Sequence, residues 1–208
     1  MAVDPLAILF GSQARVKLLR FFLFNPSKEF SFDDISRRAR LVRRTARTEI
    51  DALLKAGVIK KKVFFEQQVG GDKKIRVHGF ALDKSFPELQ ALQTFLFETA
   101  PLDGKHVAKQ LRKAGTLDCV VLAGVFVRNF EQRLDMLIAM KKLDEKKLES
   151  AIRGLESEIG IEIRYAALTT EDLVYRVGMH DRLTRDVFDY PHELLIDRIE
   201  IRDELHRP

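Results

Sequence analysis

Residues 42–62 read VRRTARTEIDALLKAGVIKKK. Val42, Ala46, Ile50 and Leu53 recur at helical spacing, which predicts an amphipathic helix with one apolar face. Gly57 follows the last apolar turn, where a residue free to turn left-handed ends a helix. The chain then changes character. VIKKKVFFEQ is rich in β-branched and aromatic residues, and so is KIRVHGFAL further on. The glycine-bearing segment QVGGDK lies between them, so the two runs predict a hairpin.

Upstream, Leu6, Leu9, Phe10, Val16, Leu19, Phe22 and Leu23 fit one amphipathic helix. Asp4 and Pro5 suit its start, and Asn25-Pro26 its end. Gly11-Ser12 falls inside that helical pattern. A second helix is expected over SFDDISRRA, with Ser31 at the cap and Asp34 three residues on. Only a short break at Arg40-Leu41 separates it from the helix that begins near Val42.

Three helices, a short break between the second and third, and a hairpin resemble the winged helix-turn-helix of small bacterial and archaeal ArsR-like regulators. The resemblance spans about residues 5–82, and LLKAGVIKKK carries it best. It implies a third helix that enters the major groove and a wing that touches the backbone. The residues suit those roles. Arg43, Arg44, Arg47 and Thr48 lie off the apolar face of the third helix, where long donors can reach guanine edges or phosphates. Lys60, Lys61 and Lys62 on the first wing strand, with Lys73 and Lys74 at the tip, suit phosphate contacts.

Charge points the same way. Of the chain's net +5, residues 1–82 hold 17 Lys and Arg against 8 Asp and Glu, a net of +9, and the remainder is net −4. A basic first domain joined to a mildly acidic second one suggests that only the first meets a polyanion. No apolar run reaches the length of a membrane span, and the N-terminus lacks the pattern of a secretory signal. A single cysteine, Cys119, excludes an internal disulfide framework and a thiolate metal cluster. A cytoplasmic protein is expected.

Residues 83–102 are expected to form a linker with a helix from about Pro87. Its stripe of Leu89, Leu92, Phe95 and Leu96 suits either packing on its own domain or the contact of a homodimer on paired half-sites. From residue 103 the pattern is α/β: a helix over GKHVAKQLRKAG, a strand over LDCVVLAGVFV and a strand over RLDMLIAM. A helix over LDEKKLESAIRGLESEIG, a strand over IEIRYAAL and the helical TTEDLVYRVGMHDRLTRDVFDY follow. The fold class is therefore α/β (α+β).

That order over about residues 103–200, with the closing Pro-His-X-Leu-Leu pattern, resembles a minimal nucleotidyltransferase domain that follows a winged helix. The resemblance implies a Gly-Ser turn beside the triphosphate. It also implies two acids one residue apart on the next strand, which hold magnesium with a third acid from a later strand. Here Gly124 is kept, but Val125 stands at the serine position and Arg133 at the first acid position. Asp135 remains of the pair, and Glu162 is the candidate later acid. A guanidinium in place of a metal ligand repels Mg²⁺, so the site reads as vestigial, with an Arg133–Asp135 or Arg133–Glu162 ion pair in its place. No catalytic residue, metal site or cofactor is expected. His78, His106, His180, His192 and His206 show no metal-ligand spacing.

The expected function is a non-catalytic regulator that binds double-stranded DNA as a homodimer. Arg128 and Arg133 leave room for a nucleotide or anion effector. Two other readings stay open at this point: a nucleotidyltransferase with residual activity, and a toxin–antitoxin-type module that binds a protein.

Overall fold

The structure, a computed structural model, describes residues 4–67, 74–100 and 103–201. It is mixed α/β with two separate sheets. The chain divides into two compact units. One is Met1–Pro101 with Glu156–Ile161, and the other is Leu102–Leu155 with Glu162–Pro208.

In the first unit, α1 (Pro5–Leu9) and α2 (Gln13–Leu23) replace the single helix expected. Gly11 has a φ of +73°, which ends α1, and the Ser12 hydroxyl accepts the Arg15 N–H to start α2. Apolar spacing continues across the break because both helices bury the same side: Leu6, Val16, Leu19 and Phe22 share one core. Strand β1 (Glu29–Ser31), which the sequence pattern did not suggest, leads into α3 (Phe32–Arg38). Ser31 caps α3 as expected, its Oγ accepting from the Asp34 N–H at 3.1 Å. Arg40, in a left-handed conformation, makes the break before α4 (Arg43–Lys55).

Ala46, Ile50 and Leu53 of α4 are buried in that core, but Val42 is not. It lies ahead of the first helical turn with its side chain exposed. Gly57, at φ +77°, closes α4. Strands β2 (Ile59–Gln67) and β3 (Lys74–Leu82) then pair antiparallel, from Ile59 opposite Leu82 to Gln67 opposite Lys74. β1 adds to the outer edge of β3, giving the order β1-β3-β2. Gly79 is required there, because a Cβ would stand 2.1 Å from the Phe30 carbonyl oxygen. The connection between β2 and β3, including Lys73, lies outside the described residues, as does His206.

Helix α5 (Leu89–Glu98) belongs to the first unit, where the sequence suggested a separate linker. Leu96 is fully buried, and Leu89 and Leu92 pack against the same core as α2. Gln93 donates to the Leu23 carbonyl at 2.8 Å, and Phe97 meets Phe24 edge-on. Arg20, buried in α2, donates to Asp4 at 2.9 Å and to the Thr99 carbonyl at 3.1 Å, so one guanidinium secures both ends of this unit's described chain. The apolar stripe is thus largely used within its own unit, and Phe95 is the member left exposed.

In the second unit, α6 (Gly104–Leu111) precedes β4 (Cys119–Leu122). The expected strand over GVFV is instead a 3-10 turn, Gly124–Val127, because Gly124 adopts φ +50° and turns the chain. β5 (Met136–Met140), α7 (Glu145–Ile159, whose residues from 156 on are counted with the first unit), β6 (Tyr165–Thr169), α8 (Thr170–Gly178), α9 (Arg182–Phe188) and β7 (Glu193–Asp197) complete the order. α8 and α9 divide the single helical stretch of the sequence at His180, another left-handed residue.

The sheet runs β6-β5-β4-β7, with β5 and β6 parallel and the other pairs antiparallel. The two central strands are buried on both faces, which explains why CVVL and MLIAM are continuously apolar rather than alternating. On one face Cys119, Val121, Leu137 and Ala139 pack with Leu173 and Val177 of α8 and Val187 of α9.

Candidate nucleic-acid interface and the Asp135 site

The exposed face of α4 carries Arg43, Arg44, Arg47 and Thr48, as expected. Burial of Ala46, Ile50 and Leu53 turns these four residues outward. Arg43 and Arg47 are one turn apart, and both guanidinium groups lie over the Phe32 ring, 5.1 Å and 5.5 Å from its centroid. Arg43 also pairs with Asp33 on α3. The Thr48 hydroxyl donates to the Arg44 carbonyl at 3.2 Å and so remains close to its own helix.

Phe32, absent from the sequence-based set, is what brings the two arginines together. Attraction between a cation and a ring face is worth about 0.5–1 kcal/mol at an exposed site. That is enough to narrow the rotamers of a long side chain without immobilising it. Phe32 starts α3 immediately after the capping Ser31, and an aromatic residue at that point was the available clue.

Lys60, Lys61 and Lys62 are exposed on β2, and Lys74 is exposed at the start of β3. Alternation along the strand puts Lys60 and Lys62 on one face and Lys61 on the other. Lys60 pairs with Asp83 at 3.1 Å and Lys62 with Glu29 at 3.7 Å. Hydrogen bonds from Ser85 and Lys60 pull the Asp83 carboxyl down to about 2, so it stays ionised beside the lysine.

In the second unit the pieces of the proposed vestigial site fall differently from expectation. Arg133 and Asp135 both precede β5, so strand alternation does not align them. Arg133 points outward and pairs with Asp186 of α9 at 3.6 Å. Glu162 is exposed and precedes β6 rather than lying on it. Neither expected Arg133 ion pair forms with Asp135 or Glu162. Asp135 is taken by Arg164, a residue the sequence reading did not single out.

Asp135 is buried and accepts four hydrogen bonds, each 2.9 Å long. Its Oδ1 accepts from the Val125 N–H and from Arg164 Nη2. Its Oδ2 accepts from the backbone N–H and the Nε of Arg164. An ionised carboxylate has about four acceptor positions, so these donors saturate it. Donating these hydrogen bonds to Asp135 in turn raises the pKa of the Arg164 guanidinium above its ordinary value.

Gly124 belongs to the same construction. A Cβ there would lie 2.1 Å from Asp135 Oδ1 and 2.8 Å from the Leu134 carbonyl oxygen. Its own N–H donates to the buried Gln132 side chain, which donates onward to the Pro191 carbonyl at 2.9 Å. Val125, at the position where the resemblance implies serine, is buried and contributes its backbone N–H rather than a hydroxyl. Arg128 ends the turn in a left-handed conformation with its side chain exposed.

The donor set does not fit a pair of metal ions. The one buried acid of the five expected residues is already held by a guanidinium and two backbone amides. Among the described residues, no group of three or more His, Cys, Asp and Glu side chains could hold a metal ion. Likewise among those residues, no helix is long and apolar enough to cross a membrane.

No family model, curated protein or solved structure matches this chain.

Proposed function

We propose that this protein is a non-catalytic regulator that binds double-stranded DNA through α4 and the β2–β3 hairpin. The first unit then serves as a winged helix-turn-helix, with α3 and α4 as the two helices of the motif. The observation that carries the reading is the shared seat of Arg43 and Arg47 over Phe32 on the exposed face of α4. Two guanidinium groups, one turn apart and partly preorganised, lose less conformational entropy when they grip guanine edges or phosphates. Lys60, Lys61, Lys62 and Lys74 add sequence-independent attraction to phosphate. A homodimer matches such a reader to paired half-sites.

The second unit is a degenerate nucleotidyltransferase-like domain in this reading. What supports a non-catalytic role is the saturation of Asp135 by its four donors. Arg164 supplies internally a positive charge that a metal would otherwise bring.

The test is an electrophoretic shift assay of the full chain on random-sequence duplex DNA across a salt series. The expected result is binding that weakens linearly on a log–log plot of affinity against salt. Equal binding by the Arg43→Ala/Arg47→Ala double variant would remove the assignment. Mg²⁺-dependent incorporation of labelled nucleotide by the wild type would overturn the non-catalytic role.

A further inference from the structure

Six helices among the described residues begin on a side-chain cap. Asp4, Ser12, Ser31, Asp103, Asp144 and Thr169 each accept a backbone N–H from the first turn of α1, α2, α3, α6, α7 and α8, while α5 and α9 begin on the polar Glu88 and Asp181 without such a bond. α4 begins on Val42, which has the extended backbone of a cap but no side-chain hydrogen bond to offer. Aliphatic residues are among the poorest caps, so this choice weakens the start of α4. Burial does not offset that loss, since Val42 is 71% exposed. The helix thus forgoes a stabilising group and holds an isopropyl group in water. It does so at the end where Arg43, Arg44 and Arg47 are also exposed.

Such a choice makes sense if the side chain meets an apolar surface only in a complex. On the DNA-binding reading, residues at the N-terminal end of this helix are the ones that approach base edges. The apolar group displayed there by a base pair is the 5-methyl of a pyrimidine, which thymine carries and cytosine lacks unless it is methylated. We propose that Val42 is a specificity-determining residue that packs against this methyl group, beside a guanine contacted by Arg43 or Arg47. Arginine alone leaves the neighbouring pyrimidine undistinguished, and valine supplies that discrimination. The inference rests on the DNA-binding proposal.

The experiment uses the full chain and duplexes it selects from a random-sequence library. Each thymine of a selected duplex is replaced in turn by uracil, and each cytosine by 5-methylcytosine. One position per half-site should respond, with about a fourfold change in affinity for the single methyl group. A loss on uracil identifies thymine, and a gain on 5-methylcytosine identifies the methylated base. Val42→Ser should bind the methylated and unmethylated duplexes equally. Its denaturation midpoint should not fall, because serine restores the cap. Val42→Ile should keep the preference. Equal affinity of the wild type for every methylated and unmethylated pair overturns the inference while leaving DNA binding intact. So does a full methyl preference in Val42→Ser. Selection of no duplex at all removes the DNA-binding proposal, and the role of Val42 with it.

Discussion

Arg43 and Asp33 meet in the first unit with side chains 69% and 73% exposed. Arg164 and Asp135 meet in the second with the carboxylate only 2% exposed. The residue types are the same and the physical consequences differ. Water competes for the exposed pair, so it contributes about 0–1 kcal/mol and can be exchanged for another anion at little cost. The buried carboxylate has no such exchange open to it. Removing its partners would leave a charge in a poorly solvated place, so the pair behaves as part of the framework. An arginine near an aspartate is therefore an exchangeable contact in one unit and a fastening in the other.

The comparison fails first if the fastening is not needed. Gly124→Ala should have the largest effect, about 4 kcal/mol of lost stability. Its Cβ would collide with Asp135 and Leu134, and φ +50° is itself unfavourable for alanine. Chemical denaturation of the variant measures this, and a loss under about 1 kcal/mol would show that the carboxylate moves freely. Asp135→Asn should cost about 3 kcal/mol, because two amides and a guanidinium would share a neutral group with half the acceptor capacity. A wild-type denaturation midpoint would break the contrast between the two pairs.

The buried sheet beside that site offers a pH test. Burial lifts the Cys119 thiol to about 12 from an ordinary value near 9, and Asp197 and Asp118 add to the shift. The folded form therefore holds the proton more tightly than the unfolded chain does. The resulting stability is full below pH 9 and is lost as pH rises towards 12. The slope from this group should approach about 1.4 kcal/mol per pH unit. Denaturation at several alkaline pH values should show a shallower fall for Cys119→Ala than for the wild type. Parallel slopes would contradict the burial argument.

On the exposed side, Arg43→Ala or Arg47→Ala should weaken specific DNA binding by about 1–3 kcal/mol, if each contacts a base. Stability should change by less than about 0.5 kcal/mol. A shift assay and a melting curve on the same preparations separate the two effects. The smallest expected effect is the coupling between Arg43 and Asp33. A double-mutant cycle on stability should give about 0.2–1 kcal/mol, falling with added salt. A coupling of several kcal/mol would mean that Arg43 is a fastening after all.

Elements with a strong local signal were legible in the sequence. The period of α4, the Ser31 cap and the paired β-rich runs all led to the observed helix, cap and hairpin. Misreadings arose where one backbone angle overrides an apolar pattern. Leu6 to Phe22 kept helical spacing across Gly11, and LDCVVLAGVFV stayed apolar past the turn at Gly124. Val42 fitted the apolar face by spacing but preceded the first turn that gives such a face its direction.

Much of the candidate interface was visible because exposed charges on a helix follow from its period alone. The Asp135 site was not, because its decisive partner, Arg164, is 29 residues away and reaches it through the parallel pairing of β5 with β6. Arg133 was expected to turn towards Asp135. The strand that would have aligned the two begins only at Met136, and Arg133 pairs with Asp186 instead.

The packing around Asp135 also bears on how this protein can change over generations. Gly124 is small because the carboxylate fills the space of its side chain, and the carboxylate is tolerated there because Arg164 neutralises it. A larger residue at 124 is most harmful while the acid at 135 is present, and it stays crowded by the backbone of residues 134 and 135 without it. Loss of the acid is harmful while its donors at 125 and 164 still point inward. Each position penalises the others' replacement, so the three form an epistatic lock in which single substitutions are purged. Among descendants of this sequence, positions 124, 135 and 164 should persist together or be replaced together.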